Sequence, residues 1–303
     1  AQPGARLDVG YTQLAFGVSW ELDVWGRIRR LNEAARGQYL STQEARHAVL
    51  TTLISDVTSS YFLLRELDLE LEIAKKTQAI GENGLRLTNL RRSQGAATGL
   101  DVNQAEQLLR TANARLASIE RSITQAENAL NLLLAKPPGT VERGKPLQEF
   151  TVPAQVPAGL PSELLARRPD IRQAEQTLIA ANARIGAVKA TYFPQINLTG
   201  LLGTQSRMLT ELFTDPSKQM NFAPTLVAPL FNAGRIRNNV RYSEAQKREA
   251  LITYEKTVMN SFREVSDSLT VFTKTREERE EQEKLVHALH ETDRLSNLRY
   301  KGG

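Results

Sequence analysis

Two periodicities divide this chain. From Leu14 to Val24 it alternates strictly, with Leu14, Phe16, Val18, Trp20, Leu22 and Val24 in one row and Ala15, Gly17, Ser19, Glu21 and Asp23 in the other. Period two predicts a β-strand with unlike faces. A second run, Gln195 to Leu202, alternates Ile196, Leu198 and Leu202 with Asn197 and Thr199. Elsewhere the apolar spacing is helical. Ala105, Leu109, Ala112, Leu116, Ile119, Ile123, Ala126, Leu130 and Leu133 step by four and three, as do Ile171, Ala174, Leu178, Ala181, Ile185 and Val188. Val49, Leu53, Val57, Tyr61, Leu64, Leu67, Leu71 and Ala74 average about 3.57 residues per step. Such stripes predict long helices packed at shallow angles in a left-handed supercoil, with alanines allowing close approach. A helix from residue 26 to 93 would be roughly 100 Å long at 1.5 Å per residue. Gly81 and Gly84 are expected to loosen it, and the Gly95 to Gly99 stretch to turn the chain back.

The pattern occurs twice. Gly26-Arg27-Ile28-Arg29 returns as Gly234-Arg235-Ile236-Arg237, and 234 − 26 = 208. Leu87, Asn89-Leu90-Arg91 and Gly95 match Leu295, Asn297-Leu298-Arg299 and Gly303 at the same offset. Leu14, Val18 and Leu22 become Phe222, Leu226 and Leu230, so the strand phase is preserved. A period this long does not belong to a solenoid, whose units run to about 50 residues. It indicates duplication of a large, mostly helical unit. At that offset, residues 161–192 would have counterparts before residue 1 and residues 96–160 counterparts after 303, so we expect a piece of a longer protein.

Eleven alternating residues match the ~9–11 of a tilted membrane strand. A half-buried strand of a soluble sheet has the same pattern. Small hydrophilic opposite rows and an adjoining long helix favour the membrane barrel, with Leu14, Phe16, Val18, Trp20 and Leu22 facing lipid. No apolar run approaches the ~20 residues of a spanning helix, and hydropathy is nearly blind to β-barrels.

Six of the twelve prolines (Pro137, Pro138, Pro146, Pro153, Pro157 and Pro161) fall in residues 137–161, which predicts an irregular connector. Residues 203–221, containing Asp215-Pro216-Ser217, read as a surface loop between two strands.

Composition adds mainly exclusions. The net charge of +5 comes from 39 basic and 34 acidic residues dispersed along the chain, which argues against a nucleic-acid partner. The densest run, Lys274 to Lys284, mixes four basic with five acidic residues and reads as a solvated helix face. Without cysteine there is no disulfide or thiol chemistry, which suits an envelope location. His287 and His290 are three apart, but with His47 the only other histidine they read as helix-surface residues rather than metal ligands. No nucleophile elbow, phosphate loop, dinucleotide fingerprint or paired carboxylate appears. Neither an enzyme activity nor a cofactor is expected.

Five stretches in order carry a likeness: Val18-Ser-Trp-Glu-Leu-Asp-Val-Trp-Gly-Arg-Ile-Arg29; Gly95 with Leu100-Asp101-Val102-Asn103-Gln104-Ala105; Arg168-Pro169-Asp170-Ile171 running to Ile185-Gly186; Phe193-Pro194-Gln195-Ile196-Asn197-Leu198; and Pro229-Leu230-Phe231 with Gly234-Arg235. Together they resemble the outer membrane factor family, the TolC-like trimeric efflux channels of Gram-negative bacteria. The likeness is nearest to the lipid-anchored members that serve RND-type pumps.

The resemblance implies a mainly α fold with a small β part. Each subunit would give four strands to a trimeric transmembrane β-barrel, and its long coiled-coil helices would form an α-barrel tunnel with an iris-like tip. On this reading residues 1–24 are a loop and barrel strand, and 25–134 are tunnel helices with a first tip turn at 92–101. The proline-rich connector, 135–161, belongs to the equatorial belt. Residues 162–192 are a further tunnel helix, 193–232 a barrel hairpin, and 233–303 the second repeat, short of its second tip. The family's lipid-attachment cysteine, first strand and closing helix have no match in residues 1–303. The implied partners are two further copies, a periplasmic adaptor protein, an inner-membrane RND-type transporter and outer membrane lipid; the implied location is the outer membrane and periplasm. Arg91, Arg92, Gly95, Gly99, Asp101 and Gln104 become candidates for the gate and adaptor contact. A plain glycine turn with Asp101 as helix cap explains the same residues. A soluble coiled-coil scaffold explains the heptads but not the strands.

Overall fold

The computed structural model describes residues 10–151 and 161–301. Pro153, Pro157 and the first nine residues lie outside these. The order of elements is β1 (Thr12–Leu22), α1 (Arg27–Ser93), α2 (Gly99–Leu133), α3 (Pro161–Arg167), α4 (Pro169–Ala190), β2 (Gln195–Ser206), β3 (Lys218–Val227) and α5 (Arg235–Lys301). Two compact units result, one from residues up to 45 and from 159 onward, the other from residues 46–158.

The duplication is visible in the elements. α1 and α5 are each 67 residues long, and they begin at Arg27 and Arg235. Gly26 and Gly234, just before them, adopt φ of 77° and 78°, a left-handed backbone that favours glycine. α1 runs unbroken through Gly81 and Gly84, against the expectation that they loosen it. Gly81 faces α2, where a Cβ would be in ordinary contact with the Leu109 Cα at 3.4 Å.

In the first unit, α4 packs on α1 and α5 through small residues. A Cβ on Gly37 of α1 would meet the Ala180 Cβ at 3.1 Å, and the Ser41 and Thr177 hydroxyls hydrogen-bond at 2.9 Å. Arg172–Glu44 at 2.6 Å adds an ion pair to α1, and Lys189–Glu244 at 3.3 Å one to α5. The buried line on α4 is Ile171, Ala174, Ala180, Ala183, Ala187 and Ala190. The expected stripe therefore holds at Ile171 and Ala174 but then moves, leaving Leu178, Ala181, Ile185 and Val188 half-buried. Packed from two sides, α4 places alanines where the backbones come closest and its larger residues beside them.

The expected single helix over 162–192 is broken at Arg168, whose extended backbone (φ −76°, ψ 121°) is what a following proline imposes. Arg168 then bridges the break, donating to Asp170 at 3.0 and 2.7 Å and to Glu264 of α5 at 2.7 Å. Its hydrogen bonds to Asp170 hold the Asp170 carboxyl below its usual range.

In the second unit, α1 and α2 run side by side in opposite senses, as the contacts Glu70–Arg115 (2.8 Å), Gln78–Asn113 (3.0 Å) and Gly81 against Leu109 show. Leu64, Ala74, Ile119 and Leu130 are buried. Every position of the α2 stripe is at least half-buried. On α1 the stripe is protected only from Val57 onward, for Val49 and Leu53 are exposed. The connector is tied down over residues 139–150. Arg143 donates to Asp68 at 3.1 Å and to Glu127 at 2.5 Å, the Gly144 amide donates to the Tyr61 hydroxyl, and Phe150 meets Phe62 edge-on at 5.2 Å.

Candidate functional site

Two places concentrate features that packing alone does not need: the sheet of the first unit and the helical turn of the second.

The sheet is antiparallel with order β1-β2-β3. β1 pairs β2 with Leu14 opposite Thr204, Phe16 opposite Leu202, Val18 opposite Gly200, Trp20 opposite Leu198 and Leu22 opposite Ile196. β2 pairs β3 with Ile196 opposite Leu226, Leu198 opposite Pro224, Gly200 opposite Phe222 and Leu202 opposite Met220. Residues opposite each other in an antiparallel ladder share a face. All five lipid-facing candidates therefore stand on one face with Ile196, Leu198, Leu202, Met220, Phe222, Pro224 and Leu226. The other face carries Gln13, Ser19, Glu21, Asn197, Thr199, Gln205, Gln219, Asn221 and Thr225 among Gly and Ala, with Leu201 and the terminal Val227 as its larger apolar residues. No described element covers the apolar face: Phe16 is 72% exposed, Trp20 61% and Met220 84%, while Leu22 is half-buried.

β1 starts and stops two residues earlier than its alternation suggested, and Val24 is not in it. Asp23 ends the strand because its carboxylate accepts from the Ile28 and Arg29 amides at 2.8 and 2.9 Å, which starts α1. Glu21 holds Arg27 with bonds of 2.8 and 2.5 Å, and Trp25 stacks on Phe193 at 4.6 Å while its indole donates to the Pro194 carbonyl. The strand–helix junction is thereby fixed. The hairpin loop is also shorter than expected. Gly203–Ser206 and Lys218–Asn221 continue the ladder, leaving residues 207–217 as the loop, tightened by two short turns and a Lys218–Asp215 ion pair. One residue that periodicity did not flag matters here. A Cβ at Gly203 would come within 2.4 Å of the Leu14 carbonyl oxygen and 2.5 Å of the Ala15 Cα.

The helical turn is built from caps. After Ser93, Gly95 takes φ 77°, and the Gly95 and Ala96 amides donate to the Arg92 and Arg91 carbonyls at 3.0 and 2.8 Å. Thr98 and Asp101 form a capping box: the Thr98 amide and hydroxyl donate to the Asp101 carboxylate at 2.7 and 2.8 Å, and the Asp101 amide donates to the Thr98 hydroxyl at 3.3 Å. The Thr98 amide and then its hydroxyl hold the Asp101 carboxyl below the usual carboxylate range. The ionised form is the bound one, so the cap is intact at neutral pH and opens as pH falls through that lowered value. Arg91, Arg92, Gly95, Gly99, Asp101 and Gln104 are all exposed, and the Arg92 guanidinium lies beside Gly99. His287 and His290 are exposed on α5. Among the described residues no helix is long and apolar enough to cross a membrane, and no His, Cys, Asp or Glu group could hold a metal.

A duplicated unit, each copy sending a strand with one apolar face into a 67-residue helix, defines a class of envelope protein whose membrane part is β and whose stalk is α. The chain belongs to the outer membrane efflux protein family, whose model matches residues 8–136 and 160–303, and its place is the bacterial outer membrane. It is 42% identical over 266 residues to the solvent efflux pump outer membrane protein SrpC of Pseudomonas putida, covering 88% of this chain and 56% of that protein. It is 38% identical over 291 residues to the outer membrane protein OprJ of Pseudomonas aeruginosa, covering 94% and 60%. The open state of the Neisseria gonorrhoeae MtrE outer membrane channel superposes with a TM-score of 0.84 at 31% identity, over 98% of this chain and 72% of that one. The chain thus spans little more than half the length of the curated relatives it matches.

Proposed function

We propose that the full-length protein is the outer-membrane duct of a tripartite efflux pump, a passive path for drugs or other small toxic compounds from periplasm to exterior. The observation that carries this reading is the register of the sheet. β1 and the β2–β3 hairpin, far apart in sequence, bring their alternating apolar residues, Leu201 and Val227 excepted, to one uncovered face, and β1 and β3 lead into 67-residue helices. Three strands enclose nothing, so a lumen requires further copies, and three copies suit the family. The polar face then lines water and the apolar face meets lipid. The partners on this reading are a periplasmic adaptor and an inner-membrane RND-type transporter that supplies the energy, with no cofactor, chemistry or nucleic acid involved.

The Thr98–Asp101 turn is the gate and adaptor contact in this proposal, with Arg91, Arg92 and Gln104 around it. The capping box sets its resting shape, and the left-handed Gly95 is where the backbone turns. The test is full-length protein in planar bilayers. The wild type should form trimers in detergent with low resting conductance. Asp101→Ala should raise that conductance several-fold while leaving the trimer unchanged by light scattering. A monomer that still conducts would defeat the trimeric duct. Wild-type conductance with a loosened trimer would reduce Asp101 to a cap.

A further inference from the structure

The two copies of the strand–helix junction differ in charge. In the first, Glu21, Asp23 and Glu33 stand with Arg27, Arg29 and Arg30, and every cation has a partner: Arg27–Glu21 at 2.5 Å, Arg29–Asp23 at 3.2 Å and Arg30–Glu33 at 2.6 Å. At the offset of 208 the three acids become Pro229, Phe231 and Arg241, Arg30 becomes Asn238, and Arg27 and Arg29 remain as Arg235 and Arg237. Three cations against three anions have become three cations against none. Arg235, Arg237 and Arg241 are exposed and have no side-chain partner among the described residues. They flank the side of α5 whose Ile236 and Val240 are buried, so the helix holds them outward.

Apolar surface accompanies the charge. Phe231 is 99% exposed and Leu230 84%, at the point where β3 has ended and α5 has not begun. In the first copy the corresponding stretch is occupied by the Asp23 cap and the docked Trp25. The second junction lies at the helix end of the sheet, where Tyr192, Phe193 and Trp25 are also part-exposed. Exposed aromatics beside arginines at the edge of an apolar band suit the boundary between acyl chains and headgroups.

We propose that Leu230, Phe231, Arg235, Arg237 and Arg241 seat an anionic phospholipid of the inner leaflet of the outer membrane. The two apolar side chains reach toward the acyl region; Arg237 and Arg241, four apart on one side of α5, receive the headgroup phosphate, which guanidinium matches with paired donors, and Arg235 on another side of the helix adds to the local positive charge. The proposal rests on the reading that the sheet lies in the membrane.

The test uses the full-length protein in nanodiscs of phosphatidylcholine with a minor share of phosphatidylglycerol of the same chains, the lipids retained being counted by native mass spectrometry. The wild type should retain phosphatidylglycerol over phosphatidylcholine by on the order of tenfold. The variant Arg235→Gln/Arg237→Gln/Arg241→Gln should lose most of that preference, while Arg207→Gln, in the loop at the far end of the sheet, should keep it. A wild type without preference overturns the proposal whatever the variant does, and so does a triple variant that keeps it. A triple variant whose trimer weakens while each remaining trimer carries its phosphatidylglycerol assigns the arginines to contact between copies instead. A protein that does not enter nanodiscs at all sinks the membrane reading; one that enters and shows no lipid preference sinks only this site.

Discussion

Val18→Arg should abolish insertion of the full-length protein into the outer membrane, while Ser19→Arg, one residue on, should insert and assemble. Val18 lies near the middle of the eleven-residue β1, in the apolar row with Gly200 and Phe222 across the ladder. Arginine on a lipid-facing strand position costs ~2–4 kcal/mol at the bilayer midplane. In a trimer the penalty enters three times, ~6–12 kcal/mol in all, which is comparable to the whole net stability of a typical fold. Ser19 lies in the opposite row with Thr199 and Ala223, where an arginine would meet water. Fractionation and heat-modifiable gel mobility read both outcomes. Equal loss from both substitutions would place neither face in lipid.

Gly203→Val should weaken the sheet where Gly200→Val does not. Both glycines lie on β2, three residues apart and therefore on opposite faces. A Cβ at Gly203 has the Leu14 carbonyl oxygen at 2.4 Å and the Ala15 Cα at 2.5 Å, so backbone rather than a flexible side chain must give way. Overpacking of this kind costs typically 1–3 kcal/mol, again once per copy. At Gly200 nothing lies within 4 Å, and a branched side chain there extends the apolar row beside Val18 and Phe222. Thermal dissociation of the full-length trimer followed on gels should show Gly203→Val falling apart many degrees earlier, with Gly200→Val unchanged or slightly later. The reverse order would contradict the register.

The parts legible in sequence are those with a short period. Alternation located β1 to within two residues, and the conserved phase at offset 208 located its counterpart in β3. The 67-residue α1 could be read because so few residues in it oppose a helix. Its Gly81 and Gly84 were misread, since a glycine carried inside a long helix and a glycine that breaks one look alike in sequence. The α4 stripe shifted because alanine marks close approach without marking which side is approached. Strand ends at Ser206 and Lys218 were missed because polar residues can pair on a ladder while resembling a loop. Arg143 with Asp68 and Glu127 was out of reach, for Arg143 lies 75 residues from Asp68 and only the folded chain joins them. At the turn between α1 and α2, Asp101 was recognised as a capping residue, but the reciprocal Thr98, three positions before it, was not.

On the membrane reading, the apolar face of this sheet meets lipid while its other face meets water. Residues 1–303 contain no cysteine, so single cysteines can be placed along β1 and spin-labelled without competition from other thiols in this part of the protein. In the reconstituted full-length trimer, accessibility to oxygen, which concentrates in lipid, should peak at positions 14, 16, 18 and 20. Accessibility to a water-soluble nickel chelate should peak at 13, 15, 17 and 19. Oxygen and nickel accessibilities that rise together, or that show no period of two across these eight positions, would contradict it.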